Sequence, residues 1–222
     1  MKAGVLGVLD GDFPRLEPYR GGRNVNGHDL TDQIDITGVA RTPDGIDINE
    51  GVAAREEVAT REAAAIEFDS ISVESESDVV TRHTRFATVP GDLVVVANSK
   101  GLFFYDVLER AIGDAPERVS ISLGDVLAAF PDASLWKAGF YDRDAGVENG
   151  VLHGADLQDD PAFSEYLADG SLNQLGMRVT VDETEYNLNV TESGYFEVYE
   201  PSDLDTKGFI RFIRNHLQPH FS

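Results

Sequence analysis

Short apolar runs and strand-like alternations succeed one another along the chain, broken by clusters of Gly, Pro, Asp and Asn. The opening segment Met1-Lys2-Ala3-Gly4-Val5-Leu6-Gly7-Val8-Leu9 predicts a first β-strand, and Asp10 to Asp12 interrupts its apolar run before a signal peptide's length is reached. Residues 10–51 are rich in turn formers, and Ile34-Asp35-Ile36 and Ile46-Asp47-Ile48 flank Thr42-Pro43-Asp44-Gly45, which predicts an irregular hairpin. Residues 52–65 carry helix formers and the pair Glu57 and Arg61 at i and i+4, predicting a helix whose apolar content, mostly alanine, buries little.

Strands are then expected around Ile66, Phe68, Ile71 and Val73, over 79–88, and over 93–97, with Pro90-Gly91-Asp92 as the turn between the last two. A helix over 102–112 places Phe104, Val107, Leu108, Ala111 and Ile112 on one face, and Gly113 stands where a left-handed residue would end it. A short helix follows, with Ser122 expected to cap the amide of Asp125, Leu123, Val126, Leu127 and Phe130 as its stripe, and Pro131 as its stop. Strands over 136–141 and 151–153 precede a short helix opened by Asp160-Pro161 and running through Phe163, Tyr166 and Leu167 to Gly170. Three more strands (177–181, 186–190 and 195–199) lead to a C-terminal helix after Ser202. The pattern predicts an α+β fold of antiparallel sheet meanders, each covered by a helix, with a pseudo-repeat. Residues 1–65 form a hairpin-and-helix segment and residues 66–222 an α+β domain, or the two are continuous.

Charge changes this picture more than composition does. The 222 residues are 41% hydrophobic, enough for a core, yet 40 Asp and Glu stand against 18 Lys and Arg, a net charge of -22. The acids are spread along the chain, and the lysines are only Lys2, Lys100, Lys137 and Lys207. This composition resembles that of proteins from salt-in halophilic archaea. At about 1 M salt the Debye length shrinks to about 3 Å, so such a surface repels itself little, whereas dilute buffer destabilises it. Cysteine is absent, which excludes disulfides and thiolate metal sites. No apolar stretch approaches the roughly 20 residues that span a bilayer, so a high-salt cytoplasm is the expected location.

No P-loop, dinucleotide fingerprint, nucleophile elbow or zinc-protease motif is present. Asp142 and Asp144, with Glu148, His153 and Asp156 following, offer hard oxygens and an imidazole that could hold Mg²⁺ or Mn²⁺ for a metal-dependent hydrolase or nuclease. The plainer reading is a turn at Asp144-Ala145-Gly146 in a chain dense with carboxylates; on it no cofactor is expected. In the last helix Lys207, Arg211 and Arg214 recur at i, i+4 and i+7 beside the apolar Phe209, Ile210, Phe212, Ile213 and Leu217. This basic stripe either meets DNA or an acidic protein partner, helped by Arg82 and Arg85, or complements the helix dipole and nearby carboxylates. Residues three apart on a strand point to opposite faces, so Arg82 and Arg85 would not act together.

From Phe86 onward the order of features resembles the bacterial recombination-associated, ring-forming DNA-binding family called RdgC. The features are the apolar strand to Val96, Gly101, the helix through Leu108, Trp136 before Gly139, Val151, Asp156-Leu157, Gly170, Leu175 and Gly194. The first 65 residues lie outside it. The resemblance ranks first a non-catalytic binding protein of DNA metabolism or a mobile-element context, using the C-terminal basic helix and exposed sheet edges for nucleic acid or self-assembly. Two other readings stand beside it: the hydrolase, and a structural or adaptor subunit whose 52–65 segment orders on a protein partner. The charge pattern predicts that the thermal midpoint rises steadily from about 0.2 to about 2 M KCl. A midpoint that falls over that range in scanning calorimetry contradicts it.

Overall fold

The computed structural model describes residues 1–9, 15–66, 68–142, 148–161, 163 and 171–222. Among them twelve strands form a single sheet in which every neighbouring pair is antiparallel. In chain order these are β1 (Ala3–Val8), β2 (Tyr19–Val25), β3 (His28–Arg41), β4 (Asp47–Ile66), β5 (Ile71–Val89), β6 (Leu93–Val96) and β7 (Glu117–Arg118). They continue with β8 (Ser134–Tyr141), β9 (Gly150–His153), β10 (Ser171–Val181), β11 (Thr184–Thr191) and β12 (Tyr195–Glu200). Among the described residues the α-helices with defined bounds are α1 (Phe103–Ile112), α2 (Leu123–Ala129) and α3 (Thr206–Phe212), the last prolonged by a π turn over Ile213–Leu217. The fold is α+β and dominated by antiparallel sheet.

Strand order is β2-β3-β4-β5-β6-β1-β12-β11-β10-β8-β9, so the first strand of the chain lies inside the sheet. Val5 to Val8 pair with β6 through Val5↔Val96, Leu6↔Val95, Gly7↔Val94 and Val8↔Leu93. Ala3, Gly4 and Val5 pair with Glu197, Phe196 and Tyr195 of β12. A strand buried on both faces must be apolar almost throughout, and this is the origin of the N-terminal run. Gly4 is needed for close approach: a Cβ there would stand 2.4 Å from Val95 Cγ1 and 2.6 Å from the Val96 carbonyl oxygen.

Alternation along β1 sends Val5 to one core and Leu6 to the other. On the first face Val5, Phe86, Val94 and Val96 pack against Phe104, Val107 and Leu108 of α1, with the Phe86 and Phe104 rings stacked at 4.2 Å. On the second, Leu6, Val95, Val190 and Phe196 meet Phe209, Ile210 and Phe212 of α3 and Leu123 and Val126 of α2. The Phe196 ring lies 5.2 Å from Phe209 and 5.5 Å from Phe212. Asp205 caps α3, accepting from the Gly208 amide at 2.8 Å. Gly113 ends α1 at φ 85°, its amide bonded to the Glu109 carbonyl, as the sequence predicts.

Charge as well as packing holds α1 to the sheet. Asp32 of β3, buried at 1% exposure, accepts from Arg55 Nε at 3.1 Å and Arg23 Nε at 3.4 Å, and pairs with Arg110 of α1. Arg55 also reaches Asp106 of α1 at 2.9 Å and lies over the Phe103 ring. Three guanidiniums thus converge on one buried carboxylate at the place where β3 stops accompanying β4 (Asp32↔Arg55).

Two expectations need correction. Residues 52–65 are not helical: they belong to β4, which pairs with β5 without interruption from Asn49↔Thr88 to Ile66↔Ile71. The side chains that suggested an i, i+4 pair bond across the ladder instead, Glu57 with Arg82 at 2.7 Å and Arg61 with Glu76 at 2.9 Å. Ladder pairing outweighs the local preference of alanine and glutamate. The Ser122 hydroxyl makes no cap bond; its carbonyl accepts from Val126 instead. The helix expected over 160–170 falls largely outside the described residues.

Replacing Asp32 by Ala leaves the buried Arg55 with Asp106 as its remaining ion-pair partner and removes the shared acceptor of Arg23 and Arg110, and should cost about 1–3 kcal/mol in denaturant unfolding at molar salt. A loss under about 1 kcal/mol contradicts the role given to this cluster. His216 lies 5.0 Å from the Phe212 ring and 5.9 Å from Phe130, and burial holds its pKa below 6.5, opposed by Asp182. A depressed folded-state value means the unfolded chain takes the proton first, so this contribution is complete above 6.5 and is lost as pH falls below it. The stability of the wild-type chain relative to His216→Phe should therefore drop between about pH 7 and about pH 5. A constant difference contradicts it.

Candidate functional site

β4 and β5 are far longer than their neighbours. β3 accompanies β4 as far as Asp32↔Arg55, and β6 accompanies β5 from Phe86. Beyond these points the hairpin runs on from Val58↔Val79 to Ile66↔Ile71 with neither neighbour, an arm about 27 Å long at about 3.4 Å per residue.

Opposed residues of an antiparallel ladder share a face, so the register sorts the arm's side chains. One face carries Val58 and Val79, Thr60 and Ser77, Glu62 and Ser75, Ala64 and Val73, and Ile66 and Ile71. The other carries Glu57 and Val80, Ala59 and Asp78, Arg61 and Glu76, Ala63 and Glu74, and Ala65 and Ser72. The first face therefore holds a single charge, Glu62, among ten residues, while the second holds four acids and one arginine. Cross-strand pairs Arg61–Glu76 and Arg61–Asp78 (3.5 Å) tie down the charged face.

The neutral face is bare. Ile66 is 88% exposed, Ile71 68%, Val73 59% and Val79 47%, and Phe68 in the connection between the strands is fully exposed. These are the large aliphatics that a folded chain ordinarily buries. Neighbouring apolar side chains exposed together mark an interaction site more often than singly scattered ones do.

The basic residues singled out from the sequence do not form one surface. Arg214 is held by Asp92 at 2.7 Å, and Gln218 donates to the same carboxylate, so this part of the stripe ties α3 to the β5–β6 turn. Arg211 and Lys207 are exposed. The carboxyl of Asp44 is held below its usual range, first by a hydrogen bond from Thr42 and more weakly by the nearby Arg211 and Arg214. Arg82 stands opposite Arg55, whereas Arg85 stands opposite Val52, so the two lie on opposite faces of the sheet. Arg85, with Lys2, Glu50 and Val52, lines an open cleft of about 610 Å³ beside β1.

Of the carboxylate cluster, Asp144 lies outside the described residues. Asp142 (φ 60°), Glu148 and His153 are exposed, and Asp156 accepts from the Ser134 hydroxyl. Among the described residues no group of three or more His, Asp or Glu side chains is placed to hold a metal ion. No described helix is long and apolar enough to cross a membrane.

The arm's two strands are legible only in part. Alternation of Glu74, Glu76 and Asp78 with Val73, Ser75, Ser77 and Val79 marks a strand with one charged and one neutral face. No comparable alternation marks 59–65, where alanines occupy both faces. Compared with known proteins, the chain matches no protein-family model, and no curated protein sequence matches it.

Proposed function

We propose that the chain is a non-catalytic binding protein, a structural or adaptor subunit whose contact element is the β4–β5 arm. One observation carries this reading: a two-stranded ribbon with a nearly uncharged aliphatic face that nothing in the described chain covers. A lone hairpin is marginal in water, and a third layer or strand set is what gives such a ribbon stability. A protein partner supplies that layer.

Charge favours protein over nucleic acid at this element, because Glu57, Glu74, Glu76 and Asp78 outnumber Arg61 and the Arg82 that pairs with Glu57 and would repel a phosphate backbone. A nucleic-acid reading rests on Lys207 and Arg211, which are exposed on α3, with Arg214 already engaged by Asp92. The charge of -22 supports a high-salt setting for either reading, since only screening allows so acidic a surface to approach a partner.

The test is co-purification at about 1 M KCl, where surface repulsion is screened, of tagged wild type beside a variant carrying Ile71→Ser and Val73→Ser. Proteins, copies of the chain included, should be retained by wild type and lost by the variant. An identical set from both overturns the proposal. DNA bound by wild type and released by combined Lys207→Ala, Arg211→Ala and Arg214→Ala favours the nucleic-acid reading instead.

A further inference from the structure

We infer that the arm's partner is a second copy of this chain, the neutral faces of two arms packing face to face, antiparallel, about a two-fold axis. This rests on the reading of the arm as a protein-binding element and names its occupant.

Electrostatics narrows the choice of occupant. A cationic partner would be drawn to the face bearing Glu57, Glu74, Glu76 and Asp78, leaving the aliphatic face bare. A neutral face is matched by another neutral face, and every copy of the chain supplies one. Two molecules of charge -22 can approach only where little charge lies between them. The arm provides such a place, at a distance from the body that spans several Debye lengths of about 3 Å at 1 M salt.

Geometry selects the antiparallel arrangement. Arms packed in parallel would bring both acidic bodies to the same end, whereas antiparallel arms put them at opposite ends. The two-fold then sets the Ile66/Ile71 rung of one copy against Val58/Val79 of the other, and Ala64/Val73 against Thr60/Ser77. The Glu62/Ser75 rung falls on the axis, so the one charge of the face meets its own symmetry mate. Edge-to-edge joining of two β5 strands is disfavoured, because it would align Glu74, Glu76 and Asp78 with the same acids of the other copy. A face two strands wide and about 27 Å long buries on the order of 300 Å² per copy. The pair stays below the roughly 1,200 Å² of a stable complex, so the dimer is weak and reversible.

Sedimentation of the purified full chain over a range of concentrations, in about 2 M and about 0.2 M KCl, reads this directly. A dimer should form with increasing concentration and be favoured by the higher salt. Combined Ile71→Lys and Val73→Lys should abolish it. Glu62→Gln should tighten it by about two- to five-fold and reduce its salt dependence, since a like-charge contact across a face costs up to about 1 kcal/mol. Glu74→Gln removes the same charge from the opposite face and should change the affinity less than two-fold, roughly the lower end of that range. Circular dichroism confirms that each variant is folded. A wild-type chain that stays monomeric throughout overturns the inference, as does a dimer untouched by the lysine substitutions or tightened equally by Glu62→Gln and Glu74→Gln. A monomeric chain that still retains other proteins through its arm leaves the adaptor reading standing, while a monomer that retains none removes both.

Discussion

The double pairing of β1 is the constraint on which the rest of the structure depends. The chain begins at the middle of its sheet, leaves for the far edge at β2, and returns strand by strand until β6 lies against β1. It then crosses through α1 and α2 and comes back from the other side until β12 lies against β1 as well. Among the described residues the six of β1 therefore join two sets of strands, β2 to β6 on one side and β8 to β12 on the other. Because Val5 and Leu6 point into different cores, the same strand also couples the α1 layer to the α3 layer. The absence of charge between Ala3 and Val8, in a chain this acidic, follows from that position.

Ionic contacts then fix what the apolar cores leave free. The convergence of Arg23, Arg55 and Arg110 on Asp32 sets α1 against β3 and β4, and Arg214 with Gln218 sets the end of α3 against the β5–β6 turn. Of the 18 basic residues of the chain, four are committed to these joints. The arm begins where the Asp32 cluster ends, so the most exposed aliphatic surface of the described chain projects from one of its most firmly tethered points.

Much of the fold was legible because period and punctuation agree. Apolar runs bounded by Pro90-Gly91-Asp92, or by Asp182 and Glu183 at positive φ, can only be strands meeting at turns, and α1 shows its stripe and its Gly113 stop. Residues 52–65 read as a helix because alanine, glutamate and arginine favour one locally, while the deciding contacts come from the partner strand β5, from Val52↔Arg85 at the base to Ala65↔Ser72 near the tip. The Asp32 cluster had no local signature at all: its members come from β2, β3, β4 and α1 and meet only in the folded chain. For the basic stripe, spacing placed Lys207, Arg211 and Arg214 on one helix, but that Arg214 is engaged by Asp92 depends on a turn far away in sequence. The neutral face of the arm needed the register of two strands, which neither strand carries by itself.

Hydrogen exchange of the full chain at molar KCl, followed at low and at high protein concentration, tests the central claim most directly. In dilute solution the amides of residues 58–66 and 71–79 are expected to exchange much faster than those of β1, and raising the concentration is expected to slow the arm alone. An arm as protected as β1 in dilute solution, or one whose exchange ignores concentration, would contradict the view that a second copy completes it.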